Sequence, residues 1–304
     1  MDASFGRLIA GADQNNGDRA TLELWYLSLR VKNLRPATFK CYSERMGWFL
    51  QHIARDGVSL RSCTRRDIED YIRAHIDQVS AETTNGRIRV LRVFWRWATT
   101  ELPAEFPEYI PMGIKLVRYD RKLRPVLTPA MIASLIGATN KRNRALVMIM
   151  FDGMLRSSEA RSLMVEDVDC INQQVTIRRT KSRHPRIAPI GPETCLVVKS
   201  YMVGLNPSGY LFPGNNGKYL SDSGARMVLK RLADRIGVKG NPQLLRHSGV
   251  TAWLKKGGDS RIIQRALGHR SPVVIDQYIH VDADALVEAK DRASLFEGVH
   301  IRSR

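Results

Sequence analysis

The sequence of 304 residues contains few of the side chains that hold metals or form disulfides. Its four cysteines, at positions 41, 63, 170 and 195, are scattered, and no pair has the spacing of zinc ligands or of a small disulfide framework. The seven histidines and the carboxylates show no ligand spacing either. We therefore predict free thiols in a reducing compartment and no metal site.

Long apolar runs are also absent. The most apolar stretch, residues 145–154, is far shorter than the roughly 20 residues that a membrane helix needs, and it contains Asp152. Residues 1–20 carry acidic residues, Gly and Asn where a secretory signal would have a basic start and an apolar run. These absences predict a cytoplasmic protein that does not interact with membranes.

Acidic residues are scarce relative to basic ones. The chain has 48 Lys and Arg against 30 Asp and Glu, a net charge of +18. Residues 1–125 hold 21 basic and 15 acidic residues, and residues 126–304 hold 27 and 15. This excess favours a polyanionic partner for both halves, although a basic soluble protein without such a partner would have the same composition.

Hydrophobic periodicity predicts a mainly α protein with two domains. Residues 1–17 show no clear apolar period and are expected to form a loose tail. Residues 18–102 are predicted to form a four-helix domain. Its helices are expected to begin near Arg19, near Thr38, after Thr64 and near Ala81.

A proline-rich basic linker is predicted over residues 103–125. Its residues Arg121, Lys122 and Arg124 are candidates for contacts with DNA phosphates, and a solvated tether is an equal alternative. Residues 126–304 are predicted to be mostly helical with a small antiparallel sheet, formed by strands at 168–179 and 186–190. Helices are expected at about 129–138, 143–154, 192–203, 221–236, 242–256, 260–267, 272–279 and 283–294.

Five side chains suited to phosphoryl transfer occur in the second domain. They are Arg156, Lys181, Arg246, His269 and Tyr278. Each of these residue types alone is common in proteins, but together they indicate phosphoryl transfer without a metal ion. Two guanidinium groups can hold phosphate oxygens as a divalent ion would, a phenol forms a reversible ester, and a lysine can protonate the leaving oxygen.

The sequence around these residues resembles the tyrosine recombinase (phage integrase) family. Residues 153–160, GMLRSSEA, are similar to its first arginine box, and residues 245–251, LRHSGVT, to its second. Leu267-Gly268-His269 followed by residues 277–280, QYIH, resembles its nucleophile box, and Thr180-Lys181-Ser182 matches its lysine hairpin. The likeness covers about residues 126–295, whereas residues 18–102 fit the family's core-binding, SAM-like domain by architecture alone.

The resemblance implies a site-specific recombinase that works through a 3′-phosphotyrosine and a Holliday junction, with no cofactor. By the family's motifs, Arg156 and Arg246 would clamp the scissile phosphate, Lys181 would protonate the departing 5′ oxygen, His269 would bond the phosphate, Tyr278 would be the nucleophile, and Glu159 would support Arg156 or its neighbours. The implied partners are double-stranded DNA with specific sites, three further copies of the chain in a homotetramer, and accessory bending or directionality proteins.

One position departs from the family pattern. Gln243 stands three residues before Arg246, where the family usually has His or Lys. Glutamine can donate a hydrogen bond to a phosphate oxygen but cannot take up a proton at neutral pH. Base assistance to Tyr278 would therefore come from elsewhere or be unnecessary. The neighbouring His247 is expected to be structural.

Basic residues of the first domain are candidates for DNA contacts. Arg89, Arg92 and Arg96 share one side of the fourth predicted helix, which favours DNA over a merely solvated face. A weaker candidate set lies at the start of the second helix, at Arg35, Thr38 and Lys40.

Several functional alternatives are open. Residues 1–17 are too short for an arm-site-binding domain, so we expect a compact Xer-like or phage-integrase-like member. Its task would be integration or excision of a mobile element, or dimer resolution. A recombinase homologue that binds DNA with impaired catalysis and a type IB-like topoisomerase are the alternatives. The predicted C-terminal helix would dock on its own domain or on a neighbouring copy.

Overall fold

The computed structural model of the protein describes seven stretches of the chain. They are residues 3–12, 17–119, 125–137, 139–178, 185–214, 217–238 and 240–268. The chain forms two compact units, Met1–Lys122 and Leu123–Arg304, and each has its own hydrophobic core. The predicted mainly α fold with one small antiparallel sheet is confirmed.

The first unit is helical and has an aromatic core. Within its described residues it contains α1 (Ala3–Ala12), α2 (Asp18–Val31), α3 (Pro36–Ile53), α4 (Arg65–His75) and α5 (Ala81–Glu101). Trp25, Phe49, Phe94 and Trp95 are fully buried between them. The four helices predicted in residues 18–102 are therefore confirmed. The start of α4 follows local capping chemistry, because the Asp67 carboxylate accepts hydrogen bonds from the Thr64 backbone amide at 2.7 Å and from the Thr64 hydroxyl at 2.6 Å.

The prediction of a loose tail over residues 1–17 is wrong for residues 3–12, which form α1. Phe5 is fully buried, with its ring centroid 5.5 Å from that of Trp25. The reason lies in the sequence, since Phe5, Leu8, Ile9 and Ala12 recur at helical spacing and are all buried. A short helix that covers an aromatic core is stabilised mainly by that packing.

The prediction of a linker over residues 103–125 is also corrected. Phe106 and Ile114 are buried in the first core. The Asn85 side chain donates to the Val117 carbonyl at 2.9 Å and accepts from its amide at 2.8 Å. The prolines end α5, but the chain up to residue 119 still packs on the first unit. The basic residues Arg121, Lys122 and Arg124 lie outside the described residues.

The second unit is mostly helical around one small sheet. Its described helices are α6 (Pro129–Gly137), α7 (Lys141–Asp152), α8 (Ser157–Arg161), α9 (Pro192–Met202), α10 (Asp222–Asp234), α11 (Pro242–Lys255) and α12 (Ser260–Leu267). The strands are β1 (Val168–Asp169), β2 (Gln174–Ile177) and β3 (Arg186–Pro189), in the order β1-β2-β3 and all antiparallel. The helices predicted at 272–279 and 283–294 lie outside the described residues.

The single strand predicted over 168–179 is wrong, because β1 and β2 are separated by a turn. The Asp169 carboxylate accepts hydrogen bonds from the amides of Ile171 and Asn172, each at 3.0 Å, and Gln173 takes a left-handed conformation with φ 53°. An aspartate whose side chain accepts from the backbone amide two residues further on forms a turn.

Among the described residues, none of the helices combines the length and apolar character needed to cross a bilayer.

The packing of α7 against α11 depends on one glycine. A Cβ at Gly249 would lie 1.9 Å from the Phe151 carbonyl oxygen and 3.2 Å from the Met154 side chain. Only a hydrogen atom fits this contact. Gly249 is three residues after Arg246 on α11, so the contact also sets how closely that arginine approaches the end of α7.

We predict that Gly249→Ala destabilises the second unit, because α7 and α11 would have to move apart. The expected loss in unfolding free energy is at least about 2 kcal/mol, in the range of overpacked cores. Gly137→Ala is the matched control, since nothing lies within 4 Å of a Cβ there. Urea unfolding measures both variants, and a Gly249→Ala protein as stable as the control would contradict this packing.

Candidate active site

The turn after α7 presents Arg156. Met154 adopts a left-handed conformation with φ 49°, and the Leu155 amide donates to the Met150 carbonyl at 3.1 Å. Leu155 is buried, and the chain then extends at Arg156 before α8 begins at Ser157. The Arg156 side chain is 25% exposed, so it is held by the protein and still reachable from solvent.

A buried carboxylate lies behind this turn. Glu159 accepts a hydrogen bond from the Arg156 backbone amide at Oε2 and one from Arg156 Nη1 at Oε1, both at 2.9 Å. A carboxylate in the first turn of a helix is stabilised by the unpaired amides and the helix dipole. Glu159 thus shapes the start of α8 and fixes the side chain of Arg156 at the same time.

Two further arginines reach the same carboxylate. Arg186, at the start of β3, donates from Nη2 to Glu159 Oε2 at 2.7 Å. Arg246, on α11, has its Nη1 atom 3.6 Å from that oxygen. Three guanidinium groups from α8, β3 and α11 therefore meet at one side chain that is inaccessible to solvent.

Backbone carbonyls complete the anchoring of these arginines. Arg246 donates from Nη1 to the Met154 carbonyl at 2.6 Å and from Nη2 to the Leu267 carbonyl at 3.3 Å. Arg186 donates from Nη1 to the Ala266 carbonyl. The end of α12 is thereby tied to the cluster immediately before the sequence reaches His269.

The cluster carries an excess of positive charge. Burial by itself raises the pKa of Glu159, but the Arg186 charge, the Arg156 amide and the charges of Arg246 and Arg156 outweigh it and lower the pKa below its usual value. Glu159 therefore stays ionised, and three cations share one anion. Buried charge in excess needs compensation, and a phosphate with two anchored guanidinium groups beside it would provide that.

The structure brings together three of the residues predicted for catalysis, Arg156, Glu159 and Arg246. Gln243, on the first turn of α11, is exposed to solvent. His247 is buried, in agreement with the structural role predicted for it. Lys181, His269 and Tyr278 lie outside the described residues. Among the side chains that are described, no group of His, Cys, Asp and Glu is arranged to hold a metal ion.

Arg186 is a residue of this cluster that the sequence did not reveal. Its contacts are 27 residues away at Glu159 and 80 residues away at Ala266. In the sequence it is one arginine among many basic residues near the predicted hairpin. No local pattern marks it, because the strand that it begins has only four residues and exposes Ile187 and Pro189.

The predicted DNA-binding residues of α5 differ in their exposure to solvent. Arg89 and Arg96 are exposed, whereas Arg92 is partly buried and donates to the Ile114 carbonyl. At the start of α3, Arg35 and Lys40 are exposed and Thr38 is half-buried. Lys40 Nζ lies 3.8 Å from Glu44, an exposed pair of small energetic weight.

Comparisons with known proteins define the class of this protein. Residues 125–284 match the phage integrase family, and residues 22–101 match the phage integrase N-terminal SAM-like domain. The chain therefore belongs to the phage integrase family, the tyrosine recombinases, which cleave and rejoin DNA at specific sites.

Xer recombinases are among the similar curated proteins. Tyrosine recombinase XerA of Thermococcus onnurineus is 27% identical over 280 residues, covering 90% of this chain and 94% of that protein. Tyrosine recombinase XerD of Corynebacterium glutamicum is 28% identical over 310 residues, covering 94% and 99%.

Solved structures share the fold. The site-specific recombinase XerH bound to a palindromic difH substrate in a post-cleavage complex has a TM-score of 0.72 and 19% identity, covering 97% of this chain and 95% of that one. The Tn1549 transposon integrase in complex with transposon right end DNA has a TM-score of 0.71 and 18% identity, covering 89% and 98%.

We predict that Arg186 positions Arg156 and Arg246 without itself needing to touch DNA. Arg186→Met leaves Glu159 with one ion pair fewer and releases the end of α12, so strand cleavage in a single turnover should slow by at least about tenfold, the loss of one charge-assisted hydrogen bond. Affinity for DNA should change by less than about threefold, because other basic residues supply most phosphate contacts.

Arg226→Met is the matched control for this test. Arg226 is an exposed residue of α10 that pairs with Asp222 at 2.6 Å, so its loss should leave cleavage unchanged. Cleavage by Arg186→Met at the rate of the control would show that Arg186 does not position the site.

Proposed function

We propose that this protein cleaves and rejoins DNA strands at specific sites through a 3′-phosphotyrosine at Tyr278, with Arg156 and Arg246 holding the scissile phosphate. The observation that supports this best is the meeting of Arg156 and Arg246 at the carboxylate of Glu159. Two permanently charged groups fixed side by side, next to a turn that exposes one of them, are suited to a single phosphodiester.

Anchoring determines what these arginines contribute. Negative charge develops on the non-bridging oxygens of a phosphodiester as it is attacked, and cations already in place stabilise that charge without reorganising. Arg156 is fixed by Glu159, and Arg246 is fixed by the carbonyls of Met154 and Leu267. In this proposal the cluster supplies electrostatic stabilisation that other phosphoryl-transfer enzymes obtain from a metal ion.

The remaining steps belong to residues outside the described part of the chain. We assign the attack to the Tyr278 hydroxyl, which gives its proton to water as its oxygen bonds to phosphorus and the bond from phosphorus to the 5′ oxygen breaks. Lys181 would give its proton to that leaving oxygen, and His269 would donate a hydrogen bond to the phosphate. A 5′ hydroxyl of another strand then attacks the phosphotyrosine, the bond from phosphorus to the tyrosine oxygen breaks, and the proton lost by the hydroxyl is balanced by one regained by Tyr278. One phosphodiester replaces another, so the exchange needs no external energy source.

The setting of the reaction is also a proposal. We assign double-stranded DNA with specific recombination sites as the substrate, a homotetramer as the active assembly, a Holliday junction as the intermediate, and the cytoplasm as the location. Integration or excision of a mobile element and dimer resolution both fit this chemistry. Accessory bending or directionality proteins would set the direction of recombination.

In the first unit, we assign contacts with DNA phosphates to Arg89 and Arg96 of α5, which are both exposed.

Gln243 favours one second candidate, a homologue that binds DNA and cleaves it poorly. The side chain is exposed three residues before Arg246, and an amide cannot accept a proton as a general base at neutral pH. The two candidates differ in whether a covalent adduct with DNA forms.

A nicked suicide substrate decides between them. Duplexes selected for tight binding and nicked next to the bound centre should trap the wild-type chain as a covalent adduct, because the short cleaved strand diffuses away. Tyr278→Phe should give no adduct and keep its DNA affinity within about threefold, since one hydroxyl is lost among many contacts. Arg246→Gln should slow adduct formation by about a hundredfold or more, the usual loss for one oxyanion-stabilising donor.

Arg226→Gln provides the control for charge, because it removes a positive charge from the surface of α10. A wild-type chain that binds these duplexes and forms no adduct supports the DNA-binding homologue. An adduct that survives in Tyr278→Phe contradicts the assigned nucleophile.

A further inference from the structure

The first unit contains a small cavity lined by one tryptophan and five polar or basic residues. Its volume is about 110 Å³. The lining residues are Trp48, Gln51, His52 and Arg55 near the end of α3, His75 at the end of α4 and Arg87 in α5. The cavity is larger than the about 10–15 Å³ that one water requires and much smaller than the roughly 300–1,000 Å³ of sites for drug-sized ligands, so its size suits a small ion.

Arg87 is the unusual member of this lining. It is only 8% exposed, and its guanidinium group stacks on the Trp48 ring at 4.7 Å and lies 5.7 Å from the Tyr71 ring centroid. Within the described residues, neither its Nε nor its Nη1 atom has a hydrogen-bond partner. An aromatic ring attracts a cation through the charge distribution of its face and supplies no hydrogen-bond acceptor atom there, so these contacts leave the two donors without a hydrogen-bond partner in the part of the chain that the structure describes.

His52 adds a second buried nitrogen to the same cavity. Its Nδ1 atom is inaccessible to solvent and has no hydrogen-bond partner among the described residues. The His52 and His75 rings lie 5.7 Å apart, and the Nδ1 atom of His75 donates to the Tyr71 carbonyl at 2.8 Å. Buried polar nitrogens without partners are rare in folded proteins, and each one calls for a ligand or water.

The charge around the cavity is positive. Burial, His75 and Arg55 lower the pKa of His52, whereas Asp56 and Asp70 raise it to a smaller extent. Of these two carboxylates, Asp70 is already paired with Arg73 at 2.6 Å. A cation in the cavity would therefore be repelled, and an anion would be attracted.

We propose that this cavity binds one phosphate-type oxyanion, held by the Nε and Nη1 groups of Arg87 and by the ring of His52. This chemistry fits a free phosphate and equally a backbone phosphate of DNA. The site is distinct from the exposed arginines of α5, because Arg87 lies about 200° around the helix from Arg89 at 3.6 residues per turn. The proposal concerns the first unit alone and does not depend on the catalytic chemistry of the second.

The direct test is a titration of the full chain with inorganic phosphate at constant ionic strength, with chloride as the balancing anion. An Arg156→Gln background is used so that phosphate at the catalytic arginines does not contribute. The melting temperature should rise and then saturate with phosphate, because a ligand that binds only the folded state stabilises it. Arg87→Gln should abolish the rise, and Arg226→Gln should keep it, since Arg226 is an exposed residue of α10 in the second unit.

Two milder variants keep the test valid if Arg87→Gln fails to fold. Arg87→Lys retains the charge but not the donor geometry, and His52→Gln retains roughly the size and polarity of the side chain but not the imidazole ring. Each should weaken phosphate binding by at least about tenfold, the value of one charge-assisted hydrogen bond. The absence of a saturable phosphate effect in the parent protein, or an unchanged Kd in both variants, overturns the proposal.

DNA binding measured against salt concentration identifies the source of the oxyanion. If a backbone phosphate occupies the cavity, Arg87→Gln lowers the slope of log affinity against log salt by about one, and free phosphate competes with DNA. If a free ion occupies it, the slope and the affinity for DNA are the same in both proteins while the effect of phosphate on melting is lost. Either result supports an oxyanion site at Arg87.

Discussion

Burial of the Glu159 carboxylate among three guanidinium groups is the interaction on which the rest of the site depends. Charges removed from water are costly, and only close pairing with well-placed hydrogen bonds offsets that cost. Arg156, Arg186 and Arg246 supply the pairing from three separate elements of the second unit. The carboxylate therefore brings α8, β3 and α11 together. Because one carboxylate faces three guanidinium groups, the cluster around Arg156 and Arg246 keeps a net positive charge.

The surrounding fold makes this pairing possible by close packing. Gly249 lets α11 approach the end of α7 to backbone contact, and the left-handed Met154 turns the chain so that its carbonyl accepts from Arg246. Arg186 connects the same carboxylate to the end of α12. Because each anchor is a backbone carbonyl or the shared carboxylate, the arginines keep their positions independently of a bound substrate. Preorganised cations of this kind lower a barrier in which negative charge develops on phosphate oxygens.

Much of the fold could be predicted from the sequence, because its signals are local. The helices α2 to α5 follow from apolar periodicity and from caps such as Thr64. The predictions that were wrong failed for physical reasons. The helix α1 is short and owes its stability to the packing of Phe5, and the turn between β1 and β2 is set by a single carboxylate, that of Asp169. The contact of Asn85 with Val117, which ties the proline-rich segment to the first unit, joins residues 32 positions apart.

The residues of the candidate site could be predicted only in part. The motifs pointed to Arg156, Glu159 and Arg246 together, and the structure places them in one cluster. Arg186 could not be found in this way, because both of its partners are distant in sequence and no local pattern marks it. The partial burial of Arg92 was equally hidden, since helical spacing places it with Arg89 and Arg96 but says nothing of the Ile114 carbonyl. Tertiary contacts, which periodicity does not encode, account for these differences.

A crystal structure of the protein bound to a DNA duplex that carries its cleavage site tests the central claim most directly. The account predicts non-bridging oxygens of the scissile phosphate at about 2.7–2.9 Å from the guanidinium nitrogens of both Arg156 and Arg246, the range of charge-assisted hydrogen bonds. Glu159 should still bond Arg156 and Arg186 in that complex. A scissile phosphate bound elsewhere, or arginines that leave Glu159 and point away from the phosphate, would contradict it.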